Sequence, residues 1–148
     1  MKFPLILGLA ALLSSPALAG EPADLVAGFY AQERSLFDED VDAFAGDSLG
    51  AFLTENAQLA EEQGGMGCLD FDPTLDAQDF DEAELKRTLK LTETVDGEGA
   101  YVTASFSLFG EPRTINWTLR KIDGKWRATD IASPESGWRI SDMICEAL

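Results

Sequence analysis

The chain has 148 residues, of which 27 are acidic, 11 are basic and none is histidine, so its formal charge at pH 7 is −16. Such a surface repels nucleic-acid phosphates and anionic lipid headgroups, and it favours cations and basic proteins as partners. Without histidine, the usual base of serine and cysteine hydrolases and the commonest zinc ligand are missing. The sequence contains no glycine-rich phosphate loop and no dinucleotide-binding fingerprint.

The first nineteen residues have the pattern of a cleavable signal peptide. Lys2 precedes an apolar run, residues 4–13, that is too short to span a bilayer as a permanent helix. Ala17 and Ala19 place small side chains where a signal peptidase requires them. We therefore expect cleavage near Ala19 and a periplasmic protein, with secretion as the alternative. Because the first cysteine is Cys68, we expect no lipid anchor at the new N-terminus.

Residues 20–148 are predicted to form a single domain, because a chain of that length can bury one sizeable core. Both cysteines, Cys68 and Cys145, lie in this exported part, where an oxidising compartment favours a disulfide bond. Two unpaired buried thiols are the alternative, since the compartment itself is inferred.

Apolar residues at helical spacing predict a first amphipathic helix over residues 22–36, with Pro22 in its first turn. The acidic residues that follow, 38–42, are typical of a connector or a short helical turn. Both features belong to the exported part of the chain.

A second helix is predicted to begin at Asp47 or Ser48, either of which can cap it, and to end near Gly64. Residues 64–81 then lack periodicity, and they form an acidic loop that is long for a small domain. Cys68 would tie this loop to the end of the chain.

The second half of the chain alternates apolar and polar residues with a period of two, which indicates strands. The first strand is predicted to begin after Glu84, and the clearest alternation spans residues 100–108. Short turns separate four such strands: Asp96-Gly97-Glu98-Gly99, Gly110-Glu111-Pro112 and Asp123-Gly124. A short C-terminal helix capped by Ser141 closes the chain. These elements predict an α+β domain whose early helices pack on a curved antiparallel four-stranded meander.

This layout is similar to that of the nuclear-transport-factor-2-like superfamily, whose members form a cone that often holds a pocket at its open end. Two segments, Cys68–Asp81 with its Asp-Phe-Asp-Pro and Ala-Gln-Asp motifs and Trp126–Ile131, resemble an uncharacterised exported bacterial family, a domain of unknown function. The resemblance covers nearly all of residues 20–148 and implies the cone-like fold. It implies no activity and no catalytic residues. The lack of a lipidation cysteine differs from the family's lipoprotein members.

Seven acidic residues lie between positions 70 and 84. Asp70, Asp72 and Asp76 are the candidate metal ligands, because Ca²⁺ binds several oxygen ligands from a flexible loop. The EF-hand spacing is missing. The alternative is a solvated acidic loop whose carboxylates cap backbone amides, and no other cofactor is expected.

Asp130 and Tyr30 are the weak catalytic candidates. Asp130 shares strand parity with Trp126 and would face the apolar side if the strand extends that far. A carboxylate in such surroundings has a raised pKa and can act as a general acid or base, with Tyr30 as the hydroxyl donor. Alternatively, Asp130 caps a backbone or pairs with an arginine such as Arg127 or Arg139.

Four aromatic residues would point into the interior of such a cone: Tyr30, Phe106, Trp117 and Trp126. They would line a site for a small apolar ligand if they leave space, and otherwise they build the core. The sequence thus predicts a non-catalytic binding domain for a small apolar ligand or a basic protein partner. The alternatives are a small pocket enzyme that uses Asp130 and Tyr30, and an immunity or inhibitor-like protein for a cationic partner.

Overall fold

Three helices precede a five-stranded antiparallel sheet in the computed structural model, which describes residues 20–147. The predicted signal peptide, residues 1–19, lies outside the described residues. The helices are α1 (Glu21–Tyr30), α2 (Asp47–Gln63) and α3 (Glu82–Thr88). The strands are β1 (Lys90–Asp96), β2 (Gly99–Leu108), β3 (Glu111–Ile122), β4 (Lys125–Ser133) and β5 (Trp138–Arg139), in sequential order across the sheet. The predicted α+β architecture is confirmed.

One hydrophobic core lies between the helices and one face of the sheet. Strand alternation directs every second side chain of β2 and β3 toward it, including Val102, Phe106 and Trp117. Val26 of α1 and Leu49 of α2 are fully buried against this face. These two strands therefore fold as the period-two pattern predicts. No helix among residues 20–147 is long and apolar enough to cross a membrane.

The first helix is shorter than the predicted 22–36. It ends at Tyr30, because Gln32 adopts a left-handed conformation with φ 58° and the Glu33 amide bonds back to the Gly28 carbonyl at 2.9 Å. Leu36 lies in the irregular segment that follows, and its side chain is buried in the core. The short turn predicted before Gly46 is a 3₁₀ turn, Val41–Ala43.

The second helix spans the predicted residues and ends at Gly64, whose φ of 67° closes it. Neither Asp47 nor Ser48 caps it, since Gly46 occupies the cap position without a side-chain hydrogen bond. The Asp47 carboxylate instead accepts two hydrogen bonds from Arg120, at 2.9 and 2.8 Å. Residues 64–81 form the predicted irregular loop.

The strand predicted to begin after Glu84 was wrong at its start, where α3 is found instead. The Asp81 carboxylate accepts a hydrogen bond from the Glu84 amide at 2.8 Å and so caps this helix. The helix has acidic residues in its first turn and Lys86 and Arg87 in its last turn. Charges placed in this way interact favourably with the helix dipole and stabilise the helix. The spacing of Leu85 and Leu89 fits a helical face as well as a strand.

The last part of the described chain, up to residue 147, contains a fifth strand and a single 3₁₀ turn in place of the predicted short C-terminal helix. The two residues of β5 pair with Ala132 and Ser133, too few for a periodic signal. A single 3₁₀ turn, Ile140–Asp142, follows, with Arg139 rather than Ser141 at its cap position. The predicted disulfide is confirmed, with the Cα atoms of Cys68 and Cys145 5.2 Å apart.

Candidate functional site

The negative charge is concentrated in one stretch of the chain. Residues 35–85, here called the acidic half, contain fifteen acidic residues and no lysine or arginine. Residues 86–147, the sheet half, contain nine acidic and nine basic residues. Almost all of the excess charge therefore lies on the connector before α2, on α2, on the loop and at the start of α3. A charge count by segment would have found this asymmetry, which the total charge conceals.

An apolar groove of about 700 Å³ opens on the acidic half. It lies between α2 and loop residues 65–72, and Phe37 closes one side. The apolar side chains that line it are Phe37, Ala60, Met66, Leu69 and Phe71. Phe37 is 52% exposed and Met66 is 64% exposed, so two large apolar side chains face solvent at one place. Grouped exposure of this kind is typical of a binding surface.

The carboxylates of Asp70 and Asp72 line the same groove. A smaller cavity of about 240 Å³ continues past Phe37, where Asp38 joins its lining. The acidic half has no basic residue of its own, and Arg34, which directly precedes it, lines a neighbouring cleft together with Asp38 and Asp72. The groove therefore combines an apolar floor with a negatively charged rim.

The groove wall is held by two long-range contacts. Asn56, which is buried on α2, accepts hydrogen bonds through Oδ1 from the amides of Cys68 at 2.8 Å and Leu69 at 3.1 Å. The Cys68–Cys145 disulfide fixes the same turn covalently. Gly67 packs so closely that a Cβ there would overlap the Asn56 side chain, so glycine is required at this position. These contacts fix the shape of the groove.

Asp76 anchors the far end of the loop to the sheet. Its carboxylate accepts hydrogen bonds from Ser133 Oγ at 2.7 Å, from Trp138 Nε1 at 2.7 Å and from Ser136 Oγ. Partial burial acts to raise the pKa of Asp76, but these three donors and the positive charge of Arg113 outweigh it and lower the pKa. The structure thus uses this carboxylate as a structural acceptor.

The three predicted calcium ligands have different surroundings. Asp70 is exposed. Asp72 accepts hydrogen bonds from the Thr74 amide at 2.9 Å and from the Thr74 hydroxyl at 2.8 Å. Asp76 accepts the hydrogen bonds from Ser133, Ser136 and Trp138 given above. Within residues 20–147, no group of three or more acidic or cysteine side chains is placed to hold a metal ion. The loop carboxylates act mainly on backbone and side-chain donors, as in the solvated-loop alternative.

Tyr30 and Trp117 form a buried pair in the core. The Tyr30 hydroxyl donates to the Thr74 carbonyl at 2.9 Å and accepts from Trp117 Nε1 at 3.1 Å. Burial raises the pKa of Tyr30 far above its usual value, and the Trp117 bond acts in the opposite direction. Phe106 packs on the Tyr30 ring with centroids 5.5 Å apart. Three of the four predicted ligand-binding aromatics therefore belong to the packed core.

Trp126, the fourth predicted aromatic, is half-buried near the start of β4, where Lys121 lies 5.4 Å from its ring centroid. Tyr30 does line a cleft of about 320 Å³ on the helical side, together with Phe29 and Phe80. Phe106, Trp117 and Trp126 do not line that cleft. The four predicted residues thus do not share one pocket.

Asp130 does not face the apolar side, contrary to the parity prediction. The strand reaches Ser133, but a β-bulge shifts the register so that Leu119 pairs with Ala128 and Thr118 with Asp130. The extra residue, Thr129, reverses the alternation, and Asp130 turns to the outer face.

The Asp130 carboxylate binds the end of the chain. It accepts from Arg139 Nη1 at 2.9 Å, from the Ser141 hydroxyl at 2.7 Å and from the Ser141 amide at 3.0 Å. This matches the alternative in which Asp130 pairs with an arginine. Asp130 lines a depression on the outer face of the sheet, and Tyr30 lines the cleft on the helical side. The two residues therefore do not share a cavity.

A solved structure with a similar fold comes from a protein complex. One chain of the crystal structure of the type VI native effector–immunity complex Tae3–Tai3 from Ralstonia pickettii is 18% identical to this chain. The two align with a TM-score of 0.53 over 76% of this chain and 93% of that chain. At this identity the likeness shows the fold alone. No protein-family model and no curated protein matches the sequence, and the nuclear-transport-factor-2-like assignment remains a prediction.

Proposed function

We propose that the protein is an exported, periplasmic binding protein that recognises a basic protein partner through its acidic half, as an immunity or inhibitor protein would. The observation that carries this proposal is the coincidence of charge and shape. The half of the molecule that contains fifteen acidic residues and no basic one also contains the apolar groove. Such a surface attracts and orients a cationic partner.

Three further observations support the proposal. The interior aromatics Tyr30, Phe106 and Trp117 are at most 7% exposed and offer a partner little surface, whereas the apolar groove is open to it. The similar fold occurs in a chain of an effector–immunity complex, which is an assembly of two proteins. The disulfide and the predicted signal peptide agree with export to an oxidising compartment.

The test is affinity capture with oxidised residues 20–148 as bait in periplasmic extract, at low and high salt. We expect a basic protein to be retained at low salt, and calorimetry with the purified partner should show affinity that falls as salt is raised. Retention of no specific protein, or retention of an acidic partner with salt-independent affinity, would contradict the proposal.

A further inference from the structure

We infer that the groove between α2 and loop residues 65–72 is the docking site within the acidic half. Its occupant would be a segment of the basic partner that inserts one aromatic or aliphatic side chain flanked by lysine or arginine. This inference rests on the function proposed above and specifies the surface and the chemistry of the partner segment.

The apolar part of the occupant follows from the lining of the groove. Phe37 and Met66 expose more than half of their surface, while Leu69 is buried and Phe71 half-buried beneath them. A space of about 700 Å³ lies within the range of sites that enclose a large side chain and its neighbours. Single exposed apolar residues are ordinary on protein surfaces, but two that converge on one concave site favour an inserted apolar group.

The basic part of the occupant follows from the rim. Asp70 and Asp72 line the groove, Asp38 lies at its continuation, and neither lining includes a lysine or arginine. An acidic segment would meet like charge at these carboxylates, and a neutral one would gain nothing from them. Lysine or arginine next to the inserted side chain would pair with these carboxylates at a partly desolvated site.

The rigidity of the groove wall strengthens the inference. Asn56 and the Cys68–Cys145 bond hold the loop at Cys68 and Leu69, so binding requires little ordering of the loop. Preorganisation lowers the entropic cost of association and raises affinity for a given contact area.

The test uses a displayed library of random short peptides, selected against oxidised residues 20–148. We expect enriched peptides to contain an aromatic or aliphatic residue flanked by lysine or arginine. A synthetic peptide of the enriched sequence is then titrated against the variants by calorimetry. Failure to enrich such peptides, or enrichment of acidic ones, overturns the inference.

The decisive variant is Phe37→Ser combined with Met66→Ser, which removes apolar surface without adding charge. Both side chains are largely exposed, so the fold should survive, and circular dichroism verifies this. We expect affinity for the peptide to fall by about tenfold or more, the loss that corresponds to one poorly buried large side chain. The matched control, Tyr101→Ser, removes an aromatic residue that is 62% exposed on β2 and should leave affinity unchanged.

The charge of the rim is tested with Asp70→Asn and its control, Glu135→Gln, an exposed acid of the sheet half. Only Asp70→Asn should lower the affinity for the peptide at low salt, by a few fold. Equal losses for both variants would mean general attraction without a site, and would overturn the inference.

The same variants separate this inference from the proposed function. If a basic protein is captured from extract equally by the wild type and the Phe37→Ser/Met66→Ser variant, the function stands and the docking site is wrong. If neither captures a basic protein, the proposed function itself fails.

Discussion

The acidic half and the sheet half are stabilised in different ways. In the sheet half, regular strands bury alternate side chains such as Val102 and Trp117, and positive and negative charges balance. In the acidic half, residues 64–81 have no helix or strand, and individual polar groups such as Asn56 and Asp76 hold them in place. The comparison shows that burial stabilises the sheet framework, while a few specific contacts hold the irregular loop and shape the groove beside it.

The disulfide is the strongest link between the two regions, because it joins the loop at Cys68 to the end of the sheet half at Cys145 across 77 residues. We expect reduction, or replacement of both cysteines by serine, to lower the free energy of unfolding by up to about 4.5 kcal/mol. Urea unfolding with and without reductant measures this difference. Two reactive thiols in the unfolded, unreduced protein would contradict the bond.

We expect the next largest effect at the buried side-chain amide of Asn56. Replacement by alanine leaves the amides of Cys68 and Leu69 without their acceptor, and we expect a loss of about 1–3 kcal/mol. Gln58→Ala, on the exposed side of the same helix, is the control and should change stability by less than about 0.5 kcal/mol. Urea unfolding of both variants compares them, and equal effects would show that the loop does not depend on Asn56.

Asp76 links the loop to the sheet in a way that depends on pH. Its folded-state pKa lies below the ordinary value of 3.8, so its contribution is complete above that pH and is lost as pH falls through the folded pKa. We expect Asp76→Asn to cost about 1–3 kcal/mol at neutral pH and progressively less in acid.

Unfolding free energies at neutral pH and below pH 3.8 test this difference. Asp70→Asn is the control, since Asp70 is an exposed acid of the same loop. A cost of Asp76→Asn that stays constant across this range would show that the charge of Asp76 does not stabilise the loop.

The features that the sequence predicted correctly are those with local or compositional signals. Alternation located β2 and β3, Gly64 marked the end of α2, and the presence of only two cysteines in a chain with a predicted signal peptide indicated their pairing. The strand assigned after Glu84 failed because seven residues of helix carry too few apolar positions to define a period. The cap at Asp81 was the signal that could have identified α3.

The features of the site that the sequence did not reveal depend on contacts between distant residues. One extra residue at Thr129 reversed the direction of Asp130, and alternation alone contains no mark of a bulge. The partners of Asp76 lie 57 to 62 residues further along the chain. The groove draws its lining from Phe37, from α2 and from the loop, so only the folded chain brings these segments together.

The smallest effect is expected at the exposed ion pair between the two regions, Asp47 and Arg120. Their side chains are 44% and 55% exposed, and water screens most of the attraction even though the contact is bidentate. We expect Asp47→Asn to change the unfolding free energy by less than about 1 kcal/mol, and added salt to reduce that difference further. A double-mutant cycle with Arg120→Gln measures the pair itself. A coupling above about 2 kcal/mol would mean that exposed contacts, and not only the disulfide and Asp76, join the acidic half to the sheet.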